Sequence, residues 1–270
     1  MEEKKSENIW DKVAVKFGKV GPEYWNIFGN RLVQLSNINT GAKVLDIGMG
    51  RGASLFPAIK KAGKDGYVVG IDKSEAMVRE TSKDILSKNI LNVEVKTMNG
   101  ENLDFEDNSF DNVICGFGIG YLLFSENKLN GILRILKIDG QVGFSIWGQQ
   151  EDQKWLTEIV NKYLPVDMKN KKLNIPRFDN VDNVIKILHD SKFHNIKVHE
   201  ENAEVVYLDK EEWWEEMCSN AVRGIFEQVE ALGSKMFNEF KSEVFNELDK
   251  FNKGDGLHFN MPVIYAFAEK

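Results

Sequence analysis

The segment Val44-Leu45-Asp46-Ile47-Gly48-Met49-Gly50-Arg51-Gly52-Ala53 constrains this chain more than any other stretch. A short strand-like run leads straight into three glycines spaced two apart, and a helical pattern follows. A strand, a tight turn and a helix opening against it accommodate that order, because glycine takes left-handed backbone freely and lets a ligand approach the main chain. By spacing, Gly48, Gly50 and Ala53 satisfy the dinucleotide pattern G-x-G-x-x-G/A. Asp72 follows about 20 residues later, where an acid would bind ribose. A nicotinamide-dependent oxidoreductase is therefore one reading. Asp46 weighs against it, since a carboxylate two residues before the turn would oppose a pyrophosphate. A phosphate-free, positively charged nucleoside such as S-adenosylmethionine suits that acid, which would favour its amino-acid end through hydrogen bonds or a bridging water. A non-catalytic nucleoside-binding protein on the same sheet is the third reading, because sites rather than folds carry function.

The rest of the chain agrees with an α/β sheet. Strand patterns at Lys43–Ile47, 66–72, 93–96, Phe110–Gly116 and 141–147 alternate with helical patterns at 53–60, 74–88 and 127–136. This order predicts a doubly wound, mostly parallel sheet with helices on both faces and a ligand crevice at the carboxyl ends of the strands. Residues 1–40 precede it as two short helices, with Trp10, Val13, Ala14 and Phe17 on the first and Tyr24, Phe28, Leu32 and Leu35 on the second. Beyond Gly148 come helical pieces near 153–163 and 181–191, then a polar-apolar alternation at 196–208 that predicts an antiparallel strand. Residues 209–232 and 234–251 read as a helical hairpin around Gly233. The last residues, 258–267, are strand-like apart from Pro262, which suits an edge or a strand start. The expected organisation is one domain: N-terminal helices at 1–40, a cofactor-binding core at 41–148, acceptor-side insertions and a helical cap at 149–257, and a final strand at 258–270.

Composition excludes several function classes. With 270 residues, 42% apolar and 29% charged, the chain has enough apolar content for a substantial core. Thirty-five basic against 42 acidic residues give a net charge of −7, which disfavours a nucleic-acid groove. Cys115 and Cys218 are the only cysteines and have no paired spacing, so neither a disulfide framework nor a zinc site is indicated. The start is polar, with no apolar stretch of secretory type, and the longest apolar runs fall far short of the roughly 20 residues needed to cross a bilayer. A soluble, cytoplasmic protein without a membrane span is expected.

The ordered motifs resemble those of the class I S-adenosylmethionine-dependent methyltransferases, in particular the small-molecule branch similar to the ubiquinone/menaquinone-biosynthesis methyltransferases. The resemblance covers about residues 40–148. Val44, Leu45, Asp46, Gly48, Gly50 and Gly52 match V-L-D-x-G-x-G-x-G. Asp72 ends the second strand and is followed by Lys73-Ser74-Glu75-Ala76-Met77. Asn99-Gly100-Glu101 through Phe105, then Asn108-Ser109-Phe110-Asp111, resemble G-D-A-x-x-L-P-F…N-S-F-D with Asn99 in the place of Asp. Cys115-Gly116-Phe117-Gly118-Ile119 ends a later strand, and Arg134 to Gly140 is similar to R-V-L-K-P-G-G, departing from it at Ile138 and Asp139. The resemblance implies a seven-stranded Rossmann-like sheet with an antiparallel last strand. It also implies that the cofactor S-adenosyl-L-methionine, with S-adenosyl-L-homocysteine as product, meets Asp46, Gly48, Gly50, Gly52, Asp72, Lys73, Met77, Asn99, Gly100, Glu101 and Phe117. An ionised Asp accepts only, so Asp72 suits two ribose hydroxyls, and the Asn99 carbonyl suits the adenine amino group.

The implied reaction is in-line transfer of a methyl group to an O, N or C nucleophile of a small apolar or aromatic metabolite. Tyr24, Trp25, Tyr121, Trp147 and Trp214 are the candidate acceptor contacts, because they lie in the first helices, at strand ends or in the cap. Phe237, Phe240, Phe245 and Phe251 stand at helical spacing and read as packing. The four histidines have no metal-ligand spacing, and His258 reads as a solvated loop residue rather than a general base. No catalytic residue is assigned.

Overall fold

The computed structural model describes residues 8–122, 129–150, 154–165 and 180–270. Its seven strands are β1 (Lys43–Ile47), β2 (Tyr67–Asp72), β3 (Val93–Thr97), β4 (Phe110–Gly116), β5 (Leu136–Trp147), β6 (His194–Tyr207) and β7 (Leu257–Glu269). They lie side by side in the order β3-β2-β1-β4-β5-β7-β6. β1 pairs in parallel with β2 and β4, β2 with β3, and β4 with β5. β7 is antiparallel to both of its neighbours, β5 and β6. The strand order reverses between β1 and β4, and such a switch point opens a crevice at the strand carboxyl ends.

Burial explains why the central strands read as continuous apolar runs. Val44 and Val68 enter a core on one face, while Leu45, Ile47, Val69 and Ile71 enter a core on the other. Side chains of a strand alternate between faces, so a sheet covered on both sides needs apolar residues at every step. Helices Leu55–Ala62 and Glu75–Ser87 follow β1 and β2, as right-handed crossovers require.

Four expectations are corrected. The 196–208 strand pairs antiparallel with β7, as predicted, yet runs in the common direction of β1–β5, so β7 alone runs against the others. β7 is interior, so Pro262 is not on an edge strand. β5 pairs with it only as far as Trp147 opposite Val263, and beyond that point the Pro262 carbonyl accepts from Gly148 N at 2.8 Å. The missing proline N–H therefore falls where β5 has ended. The first arm of the cap hairpin is broken into Lys210–Cys218 and Arg223–Glu230, ahead of Ser234–Leu248. At the break, the Asn220 side chain accepts from Val222 N at 2.8 Å and the Ser219 hydroxyl donates to the Glu216 carbonyl at 2.8 Å. Such local bonds compete with helix continuation. The predicted helix at 127–136 is described as Asn130–Ile135, and β5 begins at Leu136 through a turn with Asp139 in the left-handed region. Residues 127 and 128 lie outside the described residues.

Helix Tyr24–Leu35 crosses the crevice so closely that a Cβ on Gly29 would collide with the Ala53 carbonyl at the end of the glycine turn. That approach places Trp25, one turn earlier, beside the turn. Gly29→Ala is expected to destabilise the fold by about 1–3 kcal/mol through forced backbone movement, measured as a lower denaturant midpoint. An unchanged midpoint would mean the helix is free to shift away.

Candidate active site

The glycine turn has the conformation its sequence requires. Gly48, Gly50 and Gly52 have φ values of 68°, 50° and 87°, and the amides of Gly48 and Met49 donate to the Ile71 carbonyl at 2.8 and 3.0 Å. A Cβ on Gly48 would meet nothing nearer than Gly118 Cα at 3.9 Å, so its backbone faces open space. Gly52 differs: a Cβ there would strike the Phe56 ring, and the residue lies off the pocket lining, so it shapes the turn rather than meeting a ligand.

Asp72 ends β2 beside this turn. Its Oδ2 accepts from Gly50 N and its Oδ1 from Ser74 N, each at 2.9 Å, which leaves each oxygen further acceptor capacity. Burial lifts its carboxyl above the usual range, opposed by the amide donations from Ser74 and Gly50. Ser74 caps helix Glu75–Ser87, its hydroxyl accepting from Met77 N at 3.1 Å, and so fixes Met77 beside Asp72.

A cavity of about 470 Å³ lies over these groups. Of the residues expected at the cofactor, Gly48, Gly50, Asp72, Lys73, Met77, Asn99, Gly100, Glu101 and Phe117 line it. Asn99 Oδ1 accepts from Glu101 N at 3.1 Å, forming a local turn that presents this loop to the cavity. Asp46 is brought close but lies off the lining, fully buried. Ser54 stands at the cavity in its place and donates to Asp46 Oδ2 at 2.8 Å. The other oxygen, Oδ1, has no hydrogen-bond partner. Burial pushes the Asp46 carboxyl up to about 7, with the Ser54 hydrogen bond opposing and the Asp72 charge adding to the rise.

The expected acceptor residues divide. Trp25 and Trp147 line the cavity with Phe117. Phe117 has a left-handed φ of 57° and packs at 4.2 Å between ring centroids on Trp147, tilted by 33°, while Trp25 meets the two rings edge-on at 5.5 and 5.7 Å. Tyr24 sits one layer behind, 3% exposed, and is not on the lining. Trp214 is also off the lining: it stacks on Phe226 at 4.5 Å, with Phe237, Phe240 and Phe245 around it, so it belongs to the interior of the cap. That confirms the packing role of those three phenylalanines, and Phe251 packs likewise on Phe259 at 4.5 Å. The side chain of Tyr121 lies outside the described residues. His258 is held between Glu204 at 2.9 Å and Asp255 at 2.8 Å, away from the cavity.

Several contributors had no motif to reveal them. Trp10 and Phe17, visible in sequence only as apolar positions of the first helix, line the cavity. Their segment is fastened across the crevice by Asp11, which accepts from the Ser74 hydroxyl at 2.6 Å, and by Arg51, which donates to the Ala14 carbonyl at 2.7 Å. Behind Trp25 lies Glu216, 1% exposed: Oε1 accepts from Tyr24 Oη at 2.7 Å and Trp25 Nε1 at 3.1 Å, and Oε2 from Asn220 Nδ2 at 3.0 Å. Burial raises the Glu216 carboxyl, against these donations. Among the described residues, no group of three or more His, Cys, Asp or Glu could hold a metal ion, and no helix is long and apolar enough to cross a membrane.

The chain is 35% identical over 136 residues to aklanonic acid methyltransferase DauC from Streptomyces sp. (strain C5), covering 50% of this chain and 62% of that protein. It is 32% identical over 137 residues to nocamycin O-methyltransferase from Saccharothrix syringae, covering 51% and 49%. The chain thus spans about half to three fifths of the length of these relatives. In fold it is similar to the YcgJ protein from Bacillus subtilis, with a TM-score of 0.60 at 19% identity, covering 90% of this chain and 98% of that one. The sequence pattern of one family matches residues 1–157, more than half of the chain and all of the glycine turn, Asp72 and the Asn99 loop. The chain belongs to the ubiE/COQ5 methyltransferase family.

Proposed function

We propose that this protein transfers the methyl group of S-adenosyl-L-methionine to a nucleophile on a small, planar apolar or aromatic molecule. The observation that carries the reading is Asp72: an acceptor-only side chain with spare capacity on both oxygens, beside a glycine turn whose backbone faces an open cavity. That pair of acceptors fits the donors of vicinal hydroxyls and not the oxygens of a phosphate. The charged residues on the lining are Asp72, Lys73 and Glu101, and the buried Asp46 adds a further acid behind Ser54, so the surroundings favour a cation over a pyrophosphate. A nicotinamide dinucleotide is correspondingly disfavoured.

When bound, the cofactor supplies an electrophilic methyl group on a sulfonium. The protein's own residues bind, orient and exclude water. Asp72 accepts the sugar hydroxyls, with Met77, Asn99 and Gly100 as the adenine side. Trp25, Phe117 and Trp147 form an apolar wall in the same cavity, offering π faces to a cation and flat contact to an aromatic acceptor. Keeping water out protects the methyl group from a competing nucleophile. Alignment of nucleophile, carbon and sulfur is the main contribution to rate, and no side chain on the lining is assigned as a base. The two relatives named for aklanonic acid and nocamycin support a small-molecule acceptor.

Titration calorimetry with S-adenosylmethionine, S-adenosylhomocysteine and NADH tests the cofactor, and incubation of a metabolite pool with methyl-labelled cofactor tests transfer. Both adenosyl compounds are expected to bind, and Asp72→Ala to weaken them by roughly ten- to a hundredfold. Tight NADH binding without adenosyl binding would overturn the reading.

Affinity for S-adenosylmethionine is also expected to depend on pH. A bound cation stabilises the ionised form of Asp46, so binding below its value of about 7 releases a proton, and affinity falls as pH drops through that value. The slope is at most about tenfold per pH unit for one group. Asp46→Asn is expected to flatten the profile, and an unchanged slope in that variant would exclude Asp46 as its source.

A further inference from the structure

We propose that Glu216 is the positioning residue of the acceptor wall: from the cap helix Lys210–Cys218 it fixes the orientation of the Trp25 indole without itself touching a ligand. The inference rests on the reading of Trp25, Phe117 and Trp147 as the wall that receives the acceptor.

Glu216 is 1% exposed, and its hydrogen-bond donors are all neutral: Tyr24 at 2.7 Å, Trp25 at 3.1 Å, Asn220 at 3.0 Å and Tyr207 at 3.5 Å. A carboxyl buried in this way is costly to desolvate, and well-packed apolar side chains generally hold elements together at least as well. Cohesion between cap and helix therefore does not account for an acid here. Direction does. Of the four donors, only Trp25 presents its ring to the cavity. The indole has a single polar atom, which seeks a partner when buried, so an acceptor at a fixed point selects one ring orientation among the rotamers.

The fixed point is itself defined from two sides. Glu216 Oε1 takes both Tyr24 and Trp25, which are adjacent on helix Tyr24–Leu35, while Oε2 takes Asn220 from the break in the cap. Ala221, the next residue, lines the cavity. On the other side, Trp25 meets Phe117 and Trp147 edge-on, so its angle sets the space left beside that pair. The hydrogen bonds run from the cap turn through one carboxyl to the wall, and none of them involves the glycine turn or Asp72; Trp25 approaches the turn only through the Phe17 ring, at 5.1 Å between centroids. Glu216 thus bears on the acceptor wall and leaves the Asp72 contacts unchanged.

The test uses the full chain saturated with S-adenosylhomocysteine, with Trp25→Phe assigning the Trp25 indole N–H resonance. Glu216→Leu and Glu216→Gln are compared in nitrogen–proton correlation spectra. Expected is an upfield shift of the Trp25 resonance with an accompanying shift of Trp147, larger in Glu216→Leu and partly restored in Glu216→Gln. S-adenosylhomocysteine affinity should stay within about twofold of wild type. For whichever pool compound accepts labelled methyl, KM should rise about tenfold in Glu216→Leu while kcat changes by less than about twofold. Unmoved Trp25 and Trp147 resonances would overturn the inference, as would a loss of S-adenosylhomocysteine affinity equal to the rise in KM. Should Glu216→Leu fail to fold, Glu216→Gln, of the same size, carries the spectral comparison. Absence of any labelled product would count against methyl transfer, while the tryptophan resonances would still decide the role of Glu216.

Discussion

The two carboxylate oxygens of Asp72 each take a backbone amide, one from Gly50 in the glycine turn and one from Ser74 at the cap of the next helix. Through that pair of bonds the ends of β1 and β2 share one electrostatic centre. The turn is held open by left-handed glycines, and the Ser74 hydroxyl that accepts from Met77 also donates to Asp11 in the N-terminal segment. One acid therefore organises the turn, the start of the helix that carries Met77 and the N-terminal segment across the crevice. Hydrogen bonds from amides also lower the cost of keeping this buried group charged.

The two halves of the cavity are built by different means. On the side proposed for the adenosyl group, main-chain conformation and charge dominate, and the positions belong to the β1–β2, β2–β3 and β3–β4 connections. On the side proposed for the acceptor, large rings from three separate places, Trp25, Phe117 and Trp147, are brought together by packing, and a buried carboxyl in the cap accepts from one of them. Changes in the cap can then alter the second half without disturbing the first. The family match, residues 1–157, takes in Trp25, Phe117 and Trp147 as well as the glycine turn, and stops before helix Lys210–Cys218, which carries Glu216.

The sheet was legible in the sequence because strands buried on both faces carry continuous apolar runs, and the convergence of the glycine turn and Asp72 on one cavity was legible because glycine spacing and an acid at a strand end are local signals. What escaped was set by tertiary contact. Tyr24 and Trp25 are neighbours of similar chemistry and both donate to Glu216 Oε1, yet only Trp25 reaches the cavity, because Tyr24 is buried one layer behind it. Trp214 looked equivalent to Trp147 but is enclosed by phenylalanines of its own cap. Asp46 stood at the expected place along the chain, and only the fold reveals that the Ser54 hydroxyl lies between it and the cavity. Pro262 suggested an edge, since sequence does not disclose that β5 ends one residue before the missing N–H would be needed. The buried carboxyl of Glu216 had no periodic or motif signature, since its partners are far away in the chain.

A crystal structure of the protein grown with S-adenosylhomocysteine tests the central claim most directly. Ribose hydroxyls donating to the Asp72 carboxylate, with adenine between Met77 and the Asn99-Gly100 backbone, are the predicted result. A nucleoside bound outside this cavity, or bound in it with its ribose turned away from Asp72, would contradict it.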